Sequence, residues 1–323
     1  MAAVEYPTFT FETTAEEVAD AFAEQIRGKN VLITGTSVNG IGNETARVIA
    51  KYANLVILTG HNEERLKLAE EAIKGSLPTA NTRTLIIDLS SLASVRKAAA
   101  EASAYPEPIH VLIHNAAAGL TPFTLTVDGY EAQMATGHLA SFLLTKLLAP
   151  KLLAAKTAEF TPRVVWVSSS IHVLESVNFE LLKTPDATKY TPIMAYAHVK
   201  SATVLTAGEL GRRSKGAILG YTVHPGVIST NINQAKDAIP VLQAVGVLDA
   251  EGKPDSTNYK WKTIPQGAAT TVAAAFDPRI SATPGAYLDD SKVAEAAAHS
   301  TDPATAAKLW TATEEIVGEK FEF

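Results

Sequence analysis

At 323 residues and 46% hydrophobic content, the chain is long and apolar enough for one large α/β domain with a substantial core. Its net charge of −6 includes no basic block, so nucleic acid is not an expected partner. The absence of cysteine excludes disulfides, thiol catalysis and cysteine-based metal sites, and we expect no metal site.

The N-terminal residues 1–28 are predicted to form an extension that ends in a short helix over Thr13–Ile26. Thr13 or Thr14 can cap this helix, and its apolar residues share one stripe, so we assign it to packing. The start of the chain lacks the basic end and apolar core of a signal peptide, and its most apolar helical stretch contains lysines and a proline. We therefore expect no membrane span and a cytoplasmic location.

A strand, a glycine-rich turn and a helix follow the extension. The strand begins at Asn30 and ends at Gly35, and the turn contains Gly40 and Gly42. This order is typical of a phosphate cradle: Gly35 allows the tight turn, Gly40 lets a diphosphate approach, and Gly42 lets the helix pack on the sheet. A glycine triplet alone is weak evidence, so an ordinary turn between strand and helix is the alternative.

The second strand begins at Leu55 and ends at Gly60-His61. Proteins that bind a ribose 2′-hydroxyl carry an acidic residue at this strand end, and this chain has none. Without a carboxylate there is no repulsion against a 2′-phosphate, and His61 with Arg65 can offer positive charge. NADP(H) is therefore the preferred cofactor, with NAD(H) as the alternative.

Polar residues end the next two strands. The third strand, over residues 84–87, precedes Asp88, which can accept from an adenine amino group or merely cap the loop. The fourth strand, over residues 109–114, precedes Asn115, which can tie adjacent strands together. Small residues after Asn115 would let a ligand lie on the backbone, and residues 126–155 are predicted as one long apolar helix.

A buried strand over Arg163–Val167 ends in three serines, and Tyr196 and Lys200 follow on a predicted helix. Their spacing of four places both side chains on one helix face. A cation near a phenol favours the phenolate and lowers its pKa, which would make Tyr196 a workable general acid or base. A surface helix with a half-buried tyrosine is the alternative reading of this short pattern.

The alternation of strands and helices indicates an α/β fold with a doubly wound parallel sheet, the Rossmann fold. We expect one such domain over residues 29–323, with an apolar, poorly periodic segment at about 231–262 and a C-terminal extension.

Six motifs in this order resemble the short-chain dehydrogenases/reductases, in the branch that includes retinol dehydrogenases and WW-domain oxidoreductases. The motifs are Thr34-Gly35 with Gly40-Ile41-Gly42, Asp88-Leu89, Asn115-Ala116-Ala117, Val167-Ser168-Ser169, Tyr196 with Lys200, and Pro225-Gly226 with Thr230. The resemblance extends from about Thr13 to the end of the chain, and it implies that the segment at 231–262 is a mobile substrate lid. The apolar residues of this segment indicate a hydrophobic substrate, and the alternative is a lid helix whose apolar face packs on the sheet.

The resemblance also implies roles for individual residues. Tyr196 would be the acid/base, Lys200 would lower its pKa and hold the nicotinamide ribose, and Ser169 would orient the substrate. The residues expected to contact the dinucleotide lie at strand ends and on the helix of Tyr196: Gly35, Asn39, Gly40, Ile41, Gly42, His61, Asp88, Leu89, Asn115, Ala116, Ala117, Tyr196, Lys200, Pro225, Gly226, Ile228 and Thr230.

Four departures from the family pattern matter. The glycine turn carries one extra residue, Ala117 stands in place of a Gly, and His61 replaces the Arg often found in NADP-using relatives. The most serious departure is Gly137, which stands where the family usually has a catalytic Asn before His138. The family Asn acts through its backbone carbonyl, which Gly137 retains, so a proton relay can persist. We expect His138 to pack or cap locally.

These observations predict an NADP(H)-dependent oxidoreductase that interconverts a ketone or aldehyde and an alcohol on a small, hydrophobic substrate. A dinucleotide-binding regulatory protein with little turnover is the alternative, and a non-redox use of the fold is a third option. Family members commonly dimerise through the helices that carry Tyr196 and residues 126–155, so a homodimer is an option, although the insert before Tyr196 could block it.

Overall fold

The main sheet is parallel except at one edge. The computed structural model describes residues 5–323. The strands of this sheet are β1 (Asn30–Ile33), β2 (Leu55–Gly60), β3 (Thr82–Ile86), β4 (Val111–His114), β5 (Arg163–Val167), β6 (Leu219–His224), β9 (Tyr287–Asp289) and β10 (Lys292–Ala294). The short strands β7 (Val227–Ile228) and β8 (Trp261–Lys262) form a separate parallel pair.

The strand order is β10-β9-β6-β5-β4-β1-β2-β3, and only β10 runs antiparallel to its neighbour. The order reverses between β1 and β4, which lie side by side. In doubly wound sheets, ligands bind at the carboxyl ends of the strands on either side of such a reversal. The predicted Rossmann fold is therefore confirmed, and its topology places the glycine turn after β1 next to the Asn115 loop after β4.

Helices cover both faces of the sheet. They are α1 (Ala15–Ala21), α2 (Ala23–Ile26), α3 (Ile41–Ala50), α4 (Glu63–Ser76), α5 (Leu92–Ala104), α6 (Ala132–Met134), α7 (Ala140–Leu153), α8 (Phe179–Lys183), α9 (Pro192–Arg213), α10 (Ala238–Ala244), α11 (Ile264–Phe276), α12 (Ala298–Thr301) and α13 (Pro303–Val317). One apolar core includes residues of α1, α3, α4 and α11, and the other includes residues of α5, α7, α9 and α13. In the described range, every helix is too short or too polar to cross a bilayer.

The predicted leading helix is present as α1 followed by the single turn α2. Thr14 caps α1, and its hydroxyl and Glu17 form a capping box. Val18, Phe22 and Ile26 are buried in the same core as β1, so the extension packs on the sheet layer, as assigned. The domain boundary drawn at residue 28 stays a prediction.

Several element boundaries differ from the sequence-based prediction. The helix expected over 126–155 begins only at α6, because residues 126–130 form a tight turn in which Gly129 has φ +82°. A π-helical turn, Ala135–Leu139, then joins α6 to α7. Strand β10 was not predicted. It follows a two-residue hairpin in which both Asp290 and Ser291 have positive φ, as a type I′ turn requires.

The C-terminal helix α13 packs along α9 and against the π-helical turn. Trp310 of α13 meets Phe142 of α7 edge to face, with ring centroids 4.8 Å apart. The C-terminal segment of the chain thus lies on the two helices that the resemblance assigns to a dimer interface.

Two buried histidines make side-chain hydrogen bonds between elements of the fold. His114 joins β4 to α7, and His138 joins the π-helical turn to α13. His114 Nε2 lies 2.8 Å from the Thr145 hydroxyl, and His138 Nε2 lies 2.9 Å from the Thr313 hydroxyl. Burial lowers the pKa of each imidazole to about 3. His138 therefore packs against α13, as expected, and both rings are neutral at physiological pH.

We predict that acid destabilises the fold through these histidines. Between about pH 6.5 and about pH 3, only the unfolded chain takes up their protons, so each lowers the free energy of unfolding by about 1.4 kcal/mol per pH unit. Above pH 6.5 both states are neutral and the effect vanishes. Urea unfolding at pH 7.5 and 5.0 measures this loss. It should be smaller in His138→Gln, which keeps a donor for Thr313, than in wild type or the exposed-site control His61→Gln; an equal loss in all three would contradict the prediction.

Candidate active site

The glycine turn between β1 and α3 lies directly against the loop after β4. Gly35 has φ +73°, and a Cβ added there would lie 2.8 Å from the Cα of Ala116. A Cβ added to Gly42 would lie 2.4 Å from the side-chain nitrogen of Asn115. Neither position has room for a side chain, so the tight-turn and close-packing roles expected of these glycines agree with the geometry.

The N-terminus of α3 can receive an anion. Gly40 is its N-cap, and in the range 5–323 no side chain caps this end of the helix. The first-turn N–H groups and the helix dipole are therefore available to a diphosphate. The extra residue of the turn is accommodated because Asn39 adopts a left-handed conformation, with φ 61°.

Asn115 ties the ends of β1 and β4 together, as predicted. Its side-chain nitrogen donates to the carbonyl oxygens of Thr34 and Gly35 at 3.0 and 2.9 Å. The Thr34 hydroxyl in turn accepts from the backbone N–H groups of Asn115 and Ala116, each at 3.1 Å. This mutual bonding holds the cradle and the small residues after Asn115 in fixed relation.

His61 and Asp88 lie at the ends of β2 and β3, on the outer side of the cradle. His61 is exposed in the bend before α4, where Asn62 caps the helix by accepting from the backbone of Arg65. Asp88 accepts from the backbone and hydroxyl of Ser90 at 2.9 and 2.7 Å, so the loop-capping role is present. Leu89 is buried beside it, and a contact of Asp88 with adenine stays a prediction.

The Pro225–Thr230 segment leads from β6 into residues 231–262, which contact the glycine turn after β1. Gly226 has φ +94°, and a Cβ there would lie 2.7 Å from the side chain of Lys262. Ile228 belongs to β7, which pairs with β8 at the far end of the lid. Just beyond Thr230, the Asn231 side chain donates to the carbonyl of Val38 in the glycine turn at 3.0 Å.

Helix α9 is fastened to the end of β5 by its buried lysine. Lys200 Nζ donates to the carbonyl of Val167 at 2.7 Å, and the Ser168 hydroxyl donates to the carbonyl of Lys200 at 2.9 Å. The hydroxyl proton of the buried Ser168 is used in this hydrogen bond, whereas Ser169, the next residue, is only half-buried. The ammonium is 5.1 Å from the ring centroid of Tyr196, so the two side chains share one face of α9, as the spacing predicts.

The direction of the tyrosine pKa differs from the sequence-based expectation. Lys200 was expected to lower the pKa of Tyr196, but burial raises it to about 12. Burial also lowers the pKa of Lys200 to about 8, because a desolvated ammonium is disfavoured. In this structure desolvation therefore outweighs the attraction between ammonium and phenolate, and the protonated phenol is strongly favoured.

An apolar cluster from the lid lies over Tyr196. Leu120, Ala238, Leu242 and Leu248 are buried together, and Ile193 and Tyr196 pack against them. The lid helix α10 thus turns its apolar face toward the tyrosine rather than toward the sheet. The structure thus places the apolar residues of this segment against Tyr196, and the role of the segment as a substrate lid stays a prediction.

Gly137 lies in the π-helical turn against α9. A Cβ at this position would be 2.4 Å from Cγ1 of Val199, so the volume that an Asn side chain would use is filled. The Ser141 hydroxyl lies 3.1 Å from the carbonyl oxygen of Gly137 and 2.9 Å from that of His138, so its one proton is shared between these two backbone acceptors.

Two histidines beside Ser169 escaped the sequence analysis. His172 and His224 both bond the backbone of the Ser169 loop. The available signals were their positions, three residues after Ser169 and immediately before Pro225, but a lone histidine near a motif gives no direction for its side chain.

We predict that Gly137→Asn destabilises the protein, by about 1–3 kcal/mol of unfolding free energy, because the new side chain overpacks the contact with Val199. Chemical denaturation measures this loss. The double variant Gly137→Asn with Val199→Ala should recover most of it, and Val199→Ala alone is the matched control. If the double variant is no more stable than Gly137→Asn, the proposed clash is not the cause.

Comparisons with known proteins agree with this geometry. Residues 29–182 match the family model for short chain dehydrogenase. Over 92% of the chain, it is 33% identical to the chloroplastic short-chain dehydrogenase TIC 32 B of Brassica napus, covering 91% of that protein. It is 34% identical to the WW domain-containing oxidoreductase of Danio rerio and 31% identical to retinol dehydrogenase 12 of Mus musculus, over 92% of this chain and 70% and 89% of theirs.

Solved structures share the fold. A crystal structure of a protein from Mycobacterium paratuberculosis superposes with a TM-score of 0.70 at 27% identity, over 93% of this chain and 98% of the other. A short chain dehydrogenase from Escherichia coli CFT073, complexed with NADPH, gives 0.61 at 23% identity, over 83% and 98%. By its identity to these relatives along almost its whole length, the chain belongs to the short-chain dehydrogenases/reductases, a family of oxidoreductases that use a nicotinamide dinucleotide.

Proposed function

We propose that the protein is an NADP(H)-dependent oxidoreductase that interconverts a ketone or aldehyde and an alcohol, with Tyr196 as general acid/base. One observation carries this proposal: Tyr196 and Lys200 share a face of α9, and Lys200 is anchored to the end of β5, one residue before the serine pair. When bound, the nicotinamide cofactor would donate a hydride to the carbonyl carbon in reduction or accept one from it in oxidation.

Tyr196 is suited to supply the proton in the direction of reduction. With a pKa of about 12 it stays protonated at neutral pH, and it can donate to the substrate oxygen as negative charge develops there. The cation of Lys200, 5.1 Å from the ring, then stabilises the phenolate that remains. In the opposite direction the same pair would accept the proton of an alcohol.

Ser169 has a hydroxyl proton to offer. Its Oγ accepts from the backbone N–H of Ile171 at 3.3 Å, which leaves the O–H free to donate to a substrate oxygen. We propose that Ser169 stabilises the developing alkoxide in this way. Lys200 uses one N–H on Val167, so its remaining donors can hold the ribose hydroxyls of the nicotinamide half.

The rest of the cofactor-binding set surrounds the carboxyl ends of the central strands. Gly40, Ile41 and Gly42 would hold the diphosphate at the uncapped N-terminus of α3. The end of β2 carries the exposed His61 and no acidic residue, which supports NADP(H) over NAD(H). The E. coli relative of known structure that binds NADPH supports the same preference.

The substrate is expected to be small and hydrophobic. The lid presents Leu242 and Leu248 toward the tyrosine, and Leu120 completes this wall from the loop after β4. An apolar wall next to a proton donor favours a substrate with one carbonyl or hydroxyl group on an apolar body.

A dinucleotide-binding protein with little turnover remains the second candidate, and Gly137 is the observation that favours it. Val199 fills the space that the side chain of the family Asn would use, and the Ser141 hydroxyl lies 3.1 Å from the Gly137 carbonyl oxygen. Cofactor binding without NADPH consumption on a panel of ketones and aldehydes, unchanged in Tyr196→Phe, would favour this candidate. Product formation without net cofactor change would indicate a non-redox use of the fold.

Association and location are further proposals. Since α13 covers part of α7 and α9, a homodimer through those helices would require α13 to move, so we favour a monomer or a dimer through another surface. A cytoplasmic location stays a prediction from the N-terminal sequence.

Substitution of the tyrosine should separate chemistry from binding. In Tyr196→Phe we expect NADPH-dependent carbonyl reduction to fall by about 10²–10⁴-fold, since the proton donor is lost, while NADPH affinity stays within a few-fold. Lys200→Ala should lower both the rate of carbonyl reduction and the affinity for NADPH, because it removes the cation beside the phenol and the proposed contacts with the ribose. Steady-state rates with fluorescence titration of NADPH measure the two effects, and full activity in Tyr196→Phe would refute the assigned role.

The cofactor preference depends on the end of β2. In His61→Asp we expect the ratio of kcat/KM for NADPH over NADH to fall by about tenfold or more, because a carboxylate repels the 2′-phosphate and accepts from a 2′-hydroxyl. His61→Asn, which adds no charge, is the matched control. An unchanged ratio in His61→Asp would contradict the assignment of this strand end to the adenosine ribose.

A further inference from the structure

The peptide group that follows Ser169 is held on both sides by imidazole rings. Its carbonyl oxygen lies 2.7 Å from Nδ1 of His172, and its N–H, which belongs to Ser170, donates to Nδ1 of His224 at 3.1 Å. His172 lies in the turn just after Ser169, and His224 ends the neighbouring strand β6. The orientation of this peptide plane sets the ψ angle at Ser169, and ψ in turn restricts the rotamers that the Ser169 hydroxyl can adopt.

The hydrogen bonds determine which nitrogen of each ring carries the proton. Nε2 of His172 lies 3.1 Å from the backbone nitrogen of Ala297, which can only donate. This nitrogen must therefore be the acceptor, and the proton sits on Nδ1, facing the Ser169 carbonyl. Nδ1 of His224 accepts from Ser170, so its proton sits on Nε2. The two rings need opposite tautomers, and both must be neutral.

The surroundings hold these rings in place. His172 is buried and packs on Tyr287, with ring centroids 4.8 Å apart. Its own carbonyl accepts from Nε2 of His299 at 2.9 Å. Burial lowers the pKa of both His172 and His224, which favours the neutral forms that the hydrogen bonds require.

We propose that His172 and His224 are positioning residues for Ser169: together they lock the Ser169–Ser170 peptide plane so that the serine hydroxyl points at the substrate oxygen. The proposal rests on the proposed function, because it assigns to Ser169 the contact with substrate. It differs from a purely structural role, in which His172 would only anchor the segment that contains Ala297 and His299.

The tautomers can be measured without any substrate. Long-range ¹H–¹⁵N NMR of the full-length, histidine-labelled protein at pH 7.5 should show the Nδ1–H form for His172 and the Nε2–H form for His224. The variants His172→Asn and His224→Asn assign the signals by removing one each. A protonated His172, or its Nε2–H form, overturns the proposal whether or not the protein turns over a substrate.

A pair of substitutions at His172 then separates positioning from anchoring. Asn places its amide near the Nδ1 position and can still bond the Ser169 carbonyl, whereas Gln reaches the Nε2 position and can still accept from Ala297. With NADPH and 4-nitrobenzaldehyde as the probe, His172→Gln should lower kcat by about tenfold at unchanged NADPH affinity, since a displaced hydroxyl weakens transition-state contacts. His172→Asn should stay within about twofold of wild type.

A double-mutant cycle tests whether the effect passes through the serine. In the Ser169→Ala background, His172→Gln should cause no further loss of kcat. His299→Gln, which loosens the C-terminal segment but leaves the Ser169 peptide bonded, is the matched control and should retain wild-type kcat. Equal losses in His172→Asn, His172→Gln and His299→Gln would show anchoring only and overturn the proposal.

Amide exchange decides the question if the wild type does not reduce the probe. The Ser170 amide should exchange at least about tenfold faster in His172→Gln than in His172→Asn, at equal global stability by urea unfolding. Equal exchange in the two variants would refute positioning. Failure of turnover with the expected exchange pattern would instead count against the proposed function alone.

Discussion

The site depends on one buried contact, in which the ammonium of Lys200 donates to the carbonyl of Val167 at the end of β5. Placing an ammonium in a desolvated position is expensive, and its pKa falls to about 8 as a result. The hydrogen bond offsets part of that penalty and fixes the height and rotation of α9 against the sheet. A shift of α9 by one residue would turn Tyr196 by about 100° around the helix axis.

Burial also favours the uncharged forms of two side chains in the site, the protonated phenol of Tyr196 and the neutral imidazole of His172. Tyr196 keeps its proton because its phenolate would be poorly solvated under the lid. His172 is buried in the same part of the molecule, where a neutral ring with one donor and one acceptor satisfies both of its hydrogen-bond partners. In the proposed mechanism, a site of low dielectric constant would therefore keep its proton on the tyrosine and would use the imidazoles as fixed supports rather than as acids or bases.

The lid and the C-terminal segment enclose this arrangement from two sides. The lid reaches from the cradle, where Asn231 bonds Val38, to the apolar cluster over Tyr196. On the other side of α9, α13 packs through Trp310 and receives the His138 contact at Thr313. One segment therefore contacts both the glycine turn and Tyr196, while α13 of the same chain covers part of α9.

The features that the sequence determined by itself are those controlled by local backbone rules. The tight turn at Gly35 and the close packing at Gly42 require residues without a side chain, and glycine is the only such residue. The shared face of Tyr196 and Lys200 follows from helical periodicity, and the parallel sheet follows from alternating strands and helices.

Other features required the tertiary structure, because they depend on residues far apart in sequence. The pKa of Tyr196 rises because the segment at 231–262 and neighbouring residues shield it from water, whereas the spacing to Lys200 alone suggested a lowered pKa. The reason for Gly137 becomes visible only when Val199 of α9 is found in the space of its missing side chain. The contacts of His172 and His224 with the Ser169–Ser170 peptide likewise form only where β6 and the end of β5 meet, since desolvation and hydrogen-bond direction are set by packing and not by order along the chain.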